Sequence, residues 1–144
     1  MIKKTIKYTD YNGVERTEDF YFNLSKAELA EMEVSVKGGF VEMVKSLYNL
    51  KDIPAIAAIF KDLLLRSYGR KSVDGRRFIK EENGVRLSDE FKETEAYSVL
   101  YMELISDTDA AIAFINGLPP ADIAAAASAE AEKAGGIENL VKLS

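Results

Sequence analysis

Apolar residues alternate with polar ones over most of the first 22 residues, around a single turn signal at Asn12-Gly13. Alternation is typical of strands with one buried face, so the two runs predict an antiparallel β-hairpin. A lone hairpin is only marginally stable in water, so helices or a second chain must cover its apolar face. The apolar residues stand at even positions on both sides of the turn: Ile2, Ile6, Tyr8, Val14, Phe20 and Phe22.

The parity of these positions selects the length of the hairpin loop. A two-residue loop would place the two apolar sets on opposite faces of the ribbon. A loop of three residues, 11–13, restores the match, with Gly13 in the left-handed position of the bulge that follows a type I turn. The predicted register pairs Ile2 with Phe22 and Lys4 with Phe20.

Helical patterns follow the hairpin. Ser25 and Glu28 have the spacing of a capping box, which predicts a helix that continues towards Gly38-Gly39. The next two stretches, 40–50 and 53–65, carry apolar residues at the three-four spacing of amphipathic helices, and Asp52 is placed to cap the second. The first stretch contributes Phe40, Met43, Val44, Leu47 and Leu50; the second contributes Ile53, Ile56, Ala57, Phe60, Leu63 and Leu64.

Two further helices are predicted beyond a break in the pattern. From residue 68 to residue 85 several glycine turn signals predict a loop that can hold short strands around Asp74-Gly75. Ser88 is then predicted to cap a helix with Phe91, Tyr97, Leu100, Tyr101 and Leu104 as its apolar positions. Asp107 or Thr108 opens the last helix, which ends at Gly117.

The composition changes after residue 118. Residues 119–144 are rich in alanine, which favours helix but buries little surface, so they are expected to form a helical appendage with a flexible C-terminus. The expected fold is α+β and mostly α: an N-terminal β-hairpin packed on a bundle of about five helices over residues 1–118.

The chain contains no His and no Cys, which excludes several kinds of catalytic and metal site. Ser-His-Asp and Cys-His nucleophiles, and sites that bind zinc, haem or iron–sulfur clusters through these residues, are all ruled out. The carboxylates that remain, Glu81-Glu82 and Asp107 with Asp109, complete no ligand set. Asp107 is better explained as a helix cap. We therefore expect no enzyme, no metal and no cofactor.

Basic residues concentrate in one segment of an acidic chain whose formal net charge is −5. Such a segment is typical of a solvated loop balanced by nearby acids, of a protein-docking surface, or of a nucleic-acid site in which Tyr68 and Phe78 stack on bases. The basic segment, residues 66–80, contains Arg66, Arg70, Lys71, Arg76, Arg77 and Lys80.

Several local strings resemble the tail assembly chaperones of long-tailed bacteriophages and prophages. They are YTDYNG at 8–13, EDFYFNLSKAE at 18–28, YGRKS at 68–72, DGRRF at 74–78, TEAYS at 94–98 and FING at 114–117. The resemblance implies a non-enzymatic protein that binds the tape measure protein, keeps its apolar helical segments soluble and assists tail tube proteins to polymerise. It also implies action in the host cytoplasm and absence from the mature virion.

Candidate partner-binding residues follow from this role together with the apolar and basic patterns. They are Phe20, Phe22, Phe40, Met43, Leu47, Arg70, Arg76, Arg77, Phe78, Ile137, Leu140 and Val141. Each apolar member can instead pack on the chain's own core. We also expect self-association, with no membrane and no nucleic acid among the partners. The alternative function is a small nucleic-acid-binding regulator that uses residues 66–80, and a Mg²⁺-dependent carboxylate enzyme comes third.

Overall fold

The first two strands form the hairpin that the alternation predicts. The computed structural model describes residues 1–35 and 53–120. Strands β1 (Ile2–Thr9) and β2 (Glu15–Phe22) are antiparallel, with Ile2 opposite Phe22 and Lys4 opposite Phe20. The predicted register is therefore confirmed.

The hairpin loop has the predicted length of three residues. The Gly13 amide donates to the Asp10 carbonyl over 3.0 Å, and the Asp10 amide donates to the Val14 carbonyl over 2.9 Å. Gly13 has a φ of +79°, a left-handed conformation that glycine adopts without a Cβ penalty. Val14, which the alternation assigns to the second strand, closes the loop instead and is half exposed.

The segment that follows the second described helix adds two strands to this hairpin. Strand β3 (Tyr68–Lys71) pairs with β2, placing Gly69 opposite Tyr21, and β4 (Phe78–Ile79) pairs with β3. The result is a four-stranded antiparallel sheet in the order β1-β2-β3-β4. Strands β5 (Glu81–Glu82) and β6 (Val85–Arg86) form a separate small hairpin. The predicted loop thus contains the short strands, and its first strand belongs to the main sheet.

Five helices lie within the described residues: α1 (Lys26–Ser35), α2 (Ile53–Ser67), α3 (Leu87–Phe91), α4 (Glu95–Ser106) and α5 (Thr108–Asn116). The α+β class is confirmed. The mostly helical content is not, because the sheet extends beyond the hairpin. None of these helices combines the length and the apolar composition that a membrane span requires.

Two of the predicted helix starts are confirmed by their hydrogen bonds. At α1, Ser25 Oγ accepts from the Glu28 amide over 3.2 Å, and Glu28 Oε1 accepts from the Ser25 amide over 3.0 Å. At α5, Asp107 Oδ1 accepts from the Ala110 amide over 3.1 Å. Asp107 is therefore a helix cap, as its position predicts.

The prediction of one helix capped by Ser88 is wrong. Ser88 lies inside the short helix α3, whose N-terminus has no side-chain cap. The chain then turns, and Thr94 caps α4: its hydroxyl accepts from the Tyr97 amide over 3.2 Å. The same hydroxyl donates to the carbonyl of Phe91, the last residue of α3, over 2.7 Å. The apolar positions predicted for one helix are thus divided between α3 and α4.

The core lies between the inner face of the sheet and the helices. Even-numbered residues of β1, together with Phe20 and Phe22 of β2, face it, and the odd-numbered residues of β1 face solvent. Arg16 and Glu18, at even positions nearer the hairpin loop, are exposed. Its largest fully buried apolar side chains come from the sheet, α2, α4, α5 and the loops that flank them: Phe22, Leu24, Leu63, Leu64, Leu100, Ile115 and Leu118.

The helix predicted at 40–50, the Asp52 cap and most of the alanine-rich appendage lie outside the described residues. Leu118 and Pro119 are buried, and the Leu118 carbonyl accepts from the Leu24 amide over 2.9 Å. The division at residue 118 stays a prediction.

Candidate partner-binding surface

The candidate partner-binding residues fall into two groups. Phe20, Phe22, Arg70, Arg76, Arg77 and Phe78 lie in the sheet or its loops. The others lie outside the described residues and stay predictions: Phe40, Met43, Leu47, Ile137, Leu140 and Val141.

Phe22 is a core residue and not part of an accessible surface. Its side chain is 0% exposed, and its ring centroid lies 5.1 Å from that of Phe114 and 5.6 Å from that of Tyr68. Phe20 is partly buried and packs 5.3 Å from Phe91, which in turn stacks on Tyr68 at 4.2 Å. The hairpin therefore directs these aromatic rings into the chain's own core, which corrects the prediction that Phe22 binds a partner.

Phe78 is also partly buried within the sheet. Its ring lies over Gly69 of β3, where a Cβ would meet the ring and would lie 2.7 Å from the Ile79 carbonyl oxygen. Glycine at this position therefore lets β4 and the ring of Phe78 approach β3 closely. Tyr68, the other aromatic residue near the basic segment, is buried enough to raise the pKa of its hydroxyl. Neither ring stands free as a base-stacking platform.

Lys80 is a partly buried cation whose ammonium is held by other parts of the chain. Its ammonium donates to the Asn23 carbonyl over 2.8 Å, to the Arg66 carbonyl over 2.7 Å and to Glu28 Oε2. All three ammonium protons therefore have acceptors, from the end of β2, the end of α2 and the start of α1. Burial lowers the pKa of Lys80, and the hydrogen bond to Glu28 opposes that effect. Lys80 joins three elements.

Two arginines of the basic segment are neutralised by neighbours. Arg66 Nε lies 2.8 Å from Asp62 Oδ2 one turn earlier on α2, and Arg70 on β3 lies 2.8 Å from Glu82 Oε2. These pairs are exposed, so they contribute little to stability. They do reduce the positive potential that the sequence suggests.

The three remaining cations, Lys71, Arg76 and Arg77, lie at the end of the β3–β4 hairpin. Together with Val73 they form what we call the basic hairpin tip. Lys71 lies 5.5 Å from the ring centroid of Tyr21. Val73, Arg76 and Arg77 are exposed, and no ion pair joins either arginine to another described residue. The tip is the part of the basic segment whose arginines are exposed and have no ion-pair partner among the described residues.

Asp74 orders the loop that carries this tip. Its Oδ1 accepts from the Ser72 hydroxyl over 2.7 Å and from the Arg76 amide over 3.1 Å, and Ser72 Oγ accepts from the Arg77 amide over 3.0 Å. The hydrogen bond from Ser72 is the main reason that the pKa of Asp74 is lowered. The backbone of the tip is thus held in one conformation while its side chains point outward.

An open cleft of about 600 Å³ lies beside Lys80. Its walls carry charged side chains from several elements. Near Lys80 they form ion pairs: Lys80 with Glu28, and Arg66 with Asp62. Ligand pockets for small molecules are mostly apolar with a few polar groups, so this cleft does not resemble one. Within residues 1–35 and 53–120, no three His, Cys, Asp or Glu side chains are grouped so that they could hold a metal ion.

Helix α4 carries an exposed apolar face that was not predicted from the sequence. Val99 is 40%, Met102 58% and Ile105 40% exposed, although the same helix buries Ala96, Leu100 and Leu104. The available signal was the distribution of apolar residues around the whole helix, which is typical of helices covered on both sides. We call Val99, Met102 and Ile105 the outer face of α4.

Comparison with known proteins adds one finding. A family model described as phage tail assembly chaperone matches residues 1–142 of the chain. Neither the curated proteins nor the solved structures compared with the chain gave a match. The match extends over both described parts of the chain.

Proposed function

The chain belongs to the phage tail assembly chaperone family, and on that premise we propose that it binds the tape measure protein and assists polymerisation of the tail tube. In this proposal it keeps the apolar helical segments of the tape measure protein soluble until tail tube subunits surround them. The role is one of binding, without catalysis. The protein acts in the cytoplasm of the host cell, self-associates and is absent from the mature virion.

The family match over residues 1–142 carries this proposal. Two surface features support it. The outer face of α4 exposes large apolar side chains, and the basic hairpin tip exposes cations on an ordered loop. A protein that binds amphipathic helices needs an apolar surface with polar groups at its border.

Co-expression tests the proposal directly. The tape measure protein of the same phage or prophage is produced alone, with this chain, or with an unrelated acidic protein of similar size. We expect this chain to raise the soluble fraction of the tape measure protein and to co-purify with it through a tag on either partner. Equal solubility in all three cultures, with no recovery of a complex, contradicts the proposal.

The alternative function, nucleic-acid binding, would act through Arg76 and Arg77. Both are exposed, and neither has an ion-pair partner among the described residues. Nucleic-acid binding through them requires an affinity that falls steeply as salt rises. It also requires a large loss in the variant Arg76→Glu/Arg77→Glu. We propose instead that they contact the protein partner. Absence of duplex and single-strand binding at low salt removes the alternative, and retention of tape measure binding by the same variant removes our proposal for these residues.

A further inference from the structure

Helix α4 carries apolar side chains on two opposite sides. Ala96, Leu100 and Leu104 are buried against the sheet and neighbouring helices. At 100° per residue, Met102 lies opposite the mean direction of these three, with Val99 and Ile105 on either side of it. The exposed side is thus an apolar strip along the helix, in which each of the three side chains is at least 40% exposed.

The spacing on this side suits the packing of one helix. Glu95, Val99, Met102 and Ser106 follow each other at intervals of four, three and four, so they form one line along α4. Ile105 widens the line next to Met102. A partner helix can place its own apolar side chains between these residues, with the two axes about 8–10 Å apart.

The border of the strip is acidic. Glu95 lies one turn before Val99, and Glu103 lies one turn after it. The chain contains no Lys or Arg between Lys92 and Lys133, so neither α4 nor α5 carries a cation. Among the ion pairs of the described residues, one brings a cation to α4, because Lys4 of β1 lies 3.0 Å from Glu103 Oε1. Within residues 1–35 and 53–120, the two carboxylates of α4 thus outnumber the cations paired with them.

We propose that the outer face of α4 binds an amphipathic helix of the tape measure protein whose apolar strip is flanked by Lys or Arg. This inference rests on the proposed function and names the surface and the chemistry of its partner. Apolar burial supplies the attraction, and the acidic border selects a partner with cations at matching positions.

The same border argues against a second copy of this chain as the occupant. In an antiparallel pair of α4 helices, Met102 would meet its equivalent in the other copy, and Glu95 would approach the end of the other helix. That end is followed by Asp107 and Asp109, so carboxylates would face carboxylates. Like charges placed across an interface oppose association. A basic partner relieves this repulsion.

A pair of matched variants tests the surface. Val99→Lys/Met102→Lys puts two cations into the apolar strip, whereas Val85→Lys puts one lysine at a valine on β6 that is 44% exposed and lies outside the strip. Binding is measured with the wild-type tape measure protein and with helical peptides taken from it. We expect Val99→Lys/Met102→Lys to lower the affinity by about tenfold or more and Val85→Lys to leave it nearly unchanged.

The predicted charge of the partner is tested by changing the partner and leaving this chain unchanged. A tape measure peptide that binds the wild-type chain is compared with a version in which its flanking Lys and Arg are replaced by Glu. We expect the replaced peptide to bind about tenfold more weakly at low salt, with a smaller difference at high salt. Equal affinities at low salt overturn the charge selection.

The outcomes separate this inference from the proposed function. If the wild-type chain does not bind the tape measure protein, the proposed function fails. If the wild-type chain and Val99→Lys/Met102→Lys bind it equally, the proposed function stands and the surface is wrong. If Val99→Lys/Met102→Lys changes the oligomeric state measured by sedimentation, the face binds a second copy of the chain. If this variant lowers the melting temperature as much as Leu100→Ala does, the face packs within the chain. Either of these last results overturns the inference.

Discussion

Gly117 lies directly against Ile2, so closely that a Cβ on Gly117 would stand 2.6 Å from Cδ1 of Ile2. The Gly117 carbonyl also accepts a hydrogen bond from the N-terminal amine over 3.2 Å. The φ of Gly117 is −86°, which any residue can adopt. Glycine is therefore required here for space and not for conformation. The contact joins the start of β1 to the end of α5.

Gly117→Ala should lower the free energy of unfolding by about 1–3 kcal/mol, because the added methyl group overpacks this contact. Ile2→Ala removes the side chain that the methyl group meets. In a double-mutant cycle measured by urea denaturation, the two substitutions together should therefore destabilise less than the sum of their separate effects. Strict additivity contradicts the predicted contact.

Phe22→Ala should lower the free energy of unfolding by about 3–5 kcal/mol, because its ring is fully buried among other aromatic rings. Phe20→Ala should cost about 1–2 kcal/mol, since this ring on the same face of β2 is only partly buried. Chemical denaturation of the two variants checks the order. A smaller effect at Phe22 than at Phe20 would contradict the assignment of Phe22 to the core.

Lys80→Met should lower the free energy of unfolding by about 1–3 kcal/mol. The substitution leaves the carbonyl oxygens of Asn23 and Arg66, and the Glu28 carboxylate, without their shared donor. Arg76→Met is the matched control and should change stability by less than about 0.5 kcal/mol, because Arg76 is exposed. Thermal or urea unfolding of both variants provides the measurement, and equal effects speak against a stabilising role of the three hydrogen bonds of Lys80.

Acid should weaken the hairpin through Asp10. A hydrogen bond from Arg16 over 2.7 Å and one from the Val14 amide over 2.9 Å lower the pKa of Asp10 below its ordinary value of 3.8. A carboxyl whose pKa is lower in the folded state stabilises the fold above its unfolded pKa. That stabilisation is lost as the pH falls from about 4 through the folded pKa.

The variant Asp10→Asn isolates this effect. The difference in unfolding free energy between the wild type and Asp10→Asn should be largest near neutral pH and should shrink below about pH 4. Arg16→Gln keeps the carboxyl but removes the main cause of its lowered pKa, so the part of its stability that is lost in acid should be smaller than in the wild type. Urea unfolding at several pH values measures both. A difference that stays constant with pH rules out the predicted contribution.

The local parts of the fold could be predicted because the interacting groups are close along the chain. The register of the hairpin follows from the parity of Ile2, Phe20 and Phe22 and from a three-residue loop. The capping box at Ser25 and Glu28 and the cap at Asp107 join groups three residues apart. Ser88 was predicted to cap a helix by the same logic, but Thr94 had the same chemistry and was the better placed.

The candidate site was less predictable because charge and apolarity do not reveal accessibility. Six cations lie within residues 66–80, yet Lys80 donates hydrogen bonds to three elements and Arg70 pairs with Glu82. The exposed arginines that remain for a partner are those of the basic hairpin tip. Phe22 looks like a surface residue of an isolated hairpin until α3 and α5 cover it with Phe91 and Phe114. In each case the deciding neighbour is distant in sequence.

The amino-acid sequence by itself determined the hairpin, most of the helices, the exclusion of histidine and cysteine chemistry, and the resemblance to tail assembly chaperones, which the family match over residues 1–142 confirms. The tertiary structure alone decided that β3 pairs with β2, that Lys80 joins three elements and that α4 exposes an apolar outer face. Tyr21 and Gly69 are 48 positions apart, and no local propensity encodes which strands meet. Pairing, burial and exposure depend on how all the elements pack, so they exist only in the folded chain.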